Sequence, residues 1–101
     1  MNLRRAVAAL LMVLVGCSPG DGGRVEGVVI EVVGDLTSVE SFTVRLPDGT
    51  DRVFEPAPGT LFDGDVPLSH LQDHLRSGAR VEVRYRSLEG GRLEAFEVGD
   101  A

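Results

Sequence analysis

From Val25 onward, apolar and polar residues mostly alternate with a period of two. In Ser41–Leu46, Phe42, Val44 and Leu46 share one face while Thr43 and Arg45 share the other, the pattern of a half-buried strand. Ala79–Arg86 is the clearest case, with Val81, Val83 and Tyr85 inward and Arg80, Glu82, Arg84 and Arg86 outward. Val25–Val33 is rich in β-branched residues and reads as an opening strand. Its expected inward set is Val28, Ile30 and Val32, with Gly27 marking a bulge or bend. Pro47-Asp48-Gly49-Thr50 is a turn sequence, because proline presets φ and glycine accepts positive φ. It predicts a hairpin that returns through Asp51–Glu55. Arg92–Val98 reads as a last, less regular strand. The period changes once. Between Pro67 and Gly78, Leu68, Leu71 and Leu75 recur at helical spacing. Proline suits the first turn of a helix and glycine its stop.

The predicted order is three strands, one short helix, two strands. This resembles the OB-fold, a small Greek-key barrel of five strands. The resemblance rests on element order and covers nearly all of residues 24–101. It implies a mainly β, five-stranded antiparallel OB-like barrel whose helix, between strands 3 and 4, plugs one end. In that arrangement the three leucines point inward, while His70 and His74 face water. Tyr85, Phe42 and Phe54 belong to the core. The apolar side chains of Thr60–Val66 tuck under the barrel.

The N-terminal stretch follows a different rule. Arg4 and Arg5 precede an unbroken apolar run, Ala6–Val15, which is about half the ~20 residues needed to span a bilayer as a helix. A basic start, an apolar middle and a small residue before a junction describe an export signal. The only cysteine, Cys17, stands at that junction. Leu14-Val15-Gly16-Cys17 resembles the lipobox of bacterial lipoproteins. The resemblance implies cleavage before Cys17, which becomes the new N-terminus and carries two or three acyl chains, and exposure of the mature chain outside the cytoplasm. Two or more acyl chains hold a protein stably at a membrane, whereas one holds it marginally. The organisation is then a signal peptide over 1–16, the lipidated Cys17 with a Gly- and Pro-containing tether to residue 23, and a domain over 24–101. No disulfide can brace that domain, and its small size leaves its stability margin thin.

The charge narrows the partners. The chain carries −6, and loss of Arg4 and Arg5 with the signal takes it to −8. All ten basic residues are arginine. An acidic balance disfavours phosphate backbones, where cationic side chains supply most affinity. OB-like barrels that bind single strands use aromatic platforms in a basic groove, and this chain has one tyrosine and no tryptophan. No nucleic-acid partner is expected, and adhesion to anionic lipid through net charge alone is disfavoured as well.

Three groups of residues have chemistry worth weighing. His70 and His74 are four apart on the predicted helix, a spacing that can present two imidazoles to one ion. Asp73, Asp63 and Asp65 are the nearby oxygen donors. Asp63-Gly64-Asp65 resembles the start of a calcium loop, but the twelfth position from Asp63 is His74, where an EF-hand needs a bidentate glutamate. Arg80, Arg84 and Arg86 form a basic stripe that can take a carboxylate-bearing ligand or pair across strands with glutamates such as Glu94. Nothing resembles a nucleophile elbow, a P-loop or a dinucleotide fingerprint. The sequence therefore predicts a lipid-anchored envelope module that binds or supports and does not catalyse. Its partners are the membrane through Cys17 and an envelope protein or glycan, with no cofactor. The alternative is an accessory metal-binding protein using His70 and His74.

Overall fold

The computed structural model describes residues 22–101. Five strands, β1 (Gly22–Gly34), β2 (Val39–Arg45), β3 (Asp51–Pro56), β4 (Arg80–Ser87) and β5 (Leu93–Asp100), close into a barrel in the order β1-β2-β3-β5-β4. A 3-10 turn at Leu68–His70 leads into the helix α1 (Leu71–Ser77), between β3 and β4. The predicted element order and the mainly β class are those observed. The expected signal peptide, Cys17 and the residues up to 21 lie outside the described residues.

The pairing is not purely antiparallel. β3 and β5 run parallel, with Glu55 opposite Glu94 and Pro56 opposite Ala95. The reason is combinatorial. A closed ring with an odd number of strands cannot alternate direction at every step, so one neighbouring pair must be parallel. That seam is short and is extended by the loop after β3. There the Ala57 N–H donates to the Ala95 carbonyl, and the Asp63 N–H to that of Val98.

The core consists mainly of Val29, Phe42, Val44, Phe54, Phe62, Leu68, Leu71, Val81, Val83, Ala95 and Val98. Phe42 and Phe54 face each other across the β2–β3 pair at 5.5 Å between ring centroids, and Tyr85 meets Phe54 at 5.4 Å. The β2–β3 hairpin closes as its sequence predicts. Leu46 N–H donates to Thr50 O, and the Asp48 carboxylate takes the Thr50 amide and hydroxyl.

In β1 the inward set differs from the alternation. Val29 is fully buried, while Val28 and Ile30 are half-buried. The register shifts between Val29 and Glu31, so that Val29 opposes Val44 and Val32 opposes Phe42. Ile30 is the extra residue of a bulge, which resets the phase of the strand. Thr43, expected outward, is also buried. β1 starts two residues before the expected domain boundary, with Gly22 opposite Arg86 and Gly23 opposite Tyr85. A side chain at Gly22 would run into the Tyr85 carbonyl and one at Gly23 into its hydroxyl, so this glycine pair lets β1 lie close on β4.

The helix docks in a rotated position. Leu68 and Leu71 are buried, but Leu75 is 36% exposed and His74 only 6%. A 3-10 turn has about 3.0 residues per turn against 3.6 for an α-helix, so it eclipses Leu68 over Leu71. This turns the docked face away from Leu75 and towards His74. Gly78 ends the helix in the left-handed conformation, its N–H on the His74 carbonyl.

Candidate functional site

The sequence candidates separate into a histidine group at one end of the barrel and an arginine stripe along β4. α1 sits where β5 ends and β4 begins. There His74 Nε2–H donates to Asp100 Oδ1 at 2.7 Å. Its ring packs on Phe62 at 4.8 Å and on His70 at 5.1 Å between centroids. His74 Nδ1 is buried and has no hydrogen-bond partner among the described residues. His70 stays half-exposed, with Nδ1 3.2 Å from Asp73, which also accepts from Arg76 at 2.7 Å. The expectation that both histidines face water fails for His74, because the 3-10 turn rotates it inward.

Of the candidate aspartates, Asp73 lies beside His70, but Asp63 and Asp65 form no ion pair with either imidazole. Asp63 accepts the Asp100 N–H and holds a positive φ of 52° at the head of its turn, while Asp65 is exposed. Among the described residues no three His, Cys, Asp or Glu side chains are placed to hold a metal ion. The helical spacing brings the two imidazoles together, but each takes its own carboxylate, Asp73 or Asp100, and Asp63 is committed to the Asp100 amide.

The arginine stripe lies on the outer wall. Each member pairs across strands, Arg80 with Glu26 at 3.3 Å, Arg84 with Glu97 at 3.2 Å and Arg86 with Glu94 at 3.5 Å. A shallow cleft of about 510 Å³ runs over Gly22 and Gly23, bounded by Arg24, Arg84, Arg86, Tyr85 and Phe96. Two bare glycines make it, since no side chain fills the wall there. Phe96 is 42% exposed because a register shift in the β4–β5 pair leaves it without a partner between Ala95 and Glu97. The Arg86 guanidinium lies 4.6 Å from its ring centroid, a cation–π stack. The alternation of β4 points to Arg84 and Arg86 from sequence alone. It does not point to Phe96, since a strand phenylalanine reads as core unless a bulge turns it out.

The end of the barrel away from α1 gathers the β2–β3 turn, the β4–β5 turn and the start of β1. Here Arg45 donates twice to Asp51, and Arg92 twice to Glu55. These hydrogen bonds hold the Asp51 and Glu55 carboxyls below the usual carboxylate range. Arg52 behaves differently. It sits opposite Val44, whose side chain is in the core, so it points inward, half-buried, and its Nη1 donates to the Tyr85 hydroxyl at 2.7 Å. No family model, curated protein or solved structure matches this chain.

Proposed function

We propose that this chain is an exported, lipid-anchored OB-like barrel that acts without catalysis as a binding module of the cell envelope. The lipobox-like Leu14–Cys17 supports the anchor and the location. The strand order 1-2-3-5-4 with a helix between β3 and β4 supports the OB-like reading. The observation that carries the binding role is the cleft over Gly22 and Gly23 with its exposed Arg86–Phe96 stack. An aromatic face backed by guanidinium groups suits a ligand with a flat or ring-shaped apolar part and a carboxylate. An acidic envelope glycan and the carboxylates of an envelope peptide both have this chemistry.

The test is a titration of the Cys17→Ser chain with muramyl peptide fragments, followed by backbone amide NMR. The expected result is shifts confined to Gly22–Arg24, Arg84–Arg86 and Phe96, lost in Phe96→Ser. Shifts centred elsewhere, or none at millimolar ligand, would remove the reading. The metal alternative has the closeness of His70 and His74 and the unpartnered His74 Nδ1 in its favour, but His74 Nε2 is already committed to Asp100 and no third ligand converges among the described residues.

A further inference from the structure

Among the described residues, Arg52 is the one arginine that has no carboxylate of another described residue within 4.0 Å; the other seven each have one. It is also the one that points inward, on the face of Val44 and Phe54. A partly buried charge without a counter-charge is destabilising, and the Tyr85 hydroxyl is a neutral partner. Asp48 feels its charge, but its carboxylate is engaged first by the Thr50 hydroxyl and amide. A guanidinium has five N–H donors in a fixed fork, a geometry that matches phosphate and carboxylate oxygens.

The position of this arginine selects between those anions. Gly22 starts β1 at the same end of the barrel, opposite Arg86, and Gly23 lies against the Tyr85 hydroxyl. Cys17 is five residues earlier, a span of at most about 18 Å for extended chain. An acylated Cys17 therefore keeps this end, rather than the α1 end, within reach of the headgroup layer. We propose that the barrel stands on the membrane by this end and that Arg52, with Tyr85, holds the phosphate of a phospholipid headgroup. The orientation rests on the anchoring of Cys17 proposed above; the anion site itself rests on Arg52.

Tyr85 is the only tyrosine and there is no tryptophan, so intrinsic emission of the full chain reports on this end. In one arm the acylated chain is reconstituted into phosphatidylcholine vesicles that carry a headgroup nitroxide quencher. Tyr85 emission should fall by at least half in the wild type and in Arg76→Gln, and by much less in Arg52→Gln. In a second arm, soluble short-chain phosphatidylglycerol is titrated into the Cys17→Ser chain. Saturable change in Tyr85 emission is expected, with a dissociation constant about tenfold weaker in Arg52→Gln, the usual scale for a lost charge-assisted contact.

Inorganic phosphate or a glutamate peptide binding as tightly as the lipid would overturn the lipid assignment. An unresponsive Tyr85 in both arms would overturn the site, and the second arm shows this without any change at Arg52. Vesicle flotation of wild type against Cys17→Ser reads the anchor separately. Flotation without quenching sinks the orientation alone, and short-chain lipid binding without flotation sinks the anchor alone.

Discussion

Replacing His74 by leucine should leave the barrel as stable as it is or make it more so. The side chain is 7% exposed, and its two nitrogens differ. Nε2–H donates to Asp100, whose carboxylate is 63% exposed and returns to water when the bond is removed. Such a bond contributes about 0.5–1.5 kcal/mol, at the low end because solvent screens the exposed partner. Nδ1 is buried without a partner, and a buried polar atom left unpaired costs about 1–3 kcal/mol. Leucine removes both terms, fills most of the volume and keeps contact with Phe62. The net expectation is a gain of about 0 to 1.5 kcal/mol, or up to roughly 10 °C in melting temperature for a domain this small. His74→Ala also removes both terms but leaves a cavity beside Phe62, and should lose about 1–3 kcal/mol. Urea titration of the Cys17→Ser chain, followed by Tyr85 emission and circular dichroism, gives both values. A loss above about 1.5 kcal/mol in His74→Leu would refute the reasoning. It would mean that Nδ1 has a partner in solution, and the metal reading would then gain ground.

Other perturbations separate the docked face of α1 from the exposed one and test the anchor and the turns. Leu71→Ala, at a fully buried position, should cost about 2–5 kcal/mol, and Leu75→Ala less than about 1 kcal/mol; equal losses in urea titration would show that the helix is not rotated as described. Cys17→Ser should move the protein from the membrane pellet to the soluble fraction or stall its processing, and a processed variant that stays in the pellet would contradict anchoring. Asp35 accepts the Thr37 hydroxyl and amide and the Ser38 amide, which lowers its pKa. A carboxyl lowered in the folded state stabilises above its unfolded pKa and loses that contribution as pH falls through the folded value. The stability difference between wild type and Asp35→Asn should therefore shrink on going from pH 6 to pH 3; a difference that widens has the wrong sign for this account.

Local pattern made much of this fold legible, and closure made the rest illegible. The alternation in β2 and β4, the Pro47–Thr50 hairpin and the Pro67 and Gly78 limits of the helix segment are short-range signals, and each element formed where they place it. The parallel β3–β5 seam joins residues about 40 apart in sequence and is dictated by ring closure, which no window of the chain encodes. The bulge at Ile30 was hidden because Val28-Val29-Ile30 satisfies either phase of a strand. Leu75 and His74 exchanged places because the first turn of the helix is 3-10, and leucine spacing alone does not reveal that.

The candidate site was legible where a residue breaks its own local rule. Arg52 lies two residues before Phe54, on the same face of a strand whose inward side is apolar. A period-two reading of Asp51–Glu55 thus already placed an arginine among core positions, and that conflict was the available signal. Phe96 breaks the rule in the opposite sense, an aromatic turned out by a shift of register. His74 is a third exception, a polar ring on the docked face of α1. Residues that violate pattern without local compensation mark function or strain more often than chance, and the three differ in compensation. His74 has Asp100 and an aromatic neighbour, so leucine can take its place without loss. Phe96 has Arg86 stacked on it but water on its other side. Arg52 has a tyrosine hydroxyl and, among the described residues, no carboxylate paired with it, and an apolar replacement would supply none of its donors. The order of remaining unsatisfied chemistry is therefore Arg52, then Phe96, then His74, which favours the β1-start end of the barrel for the ligand contacts proposed above and leaves packing to the helix end.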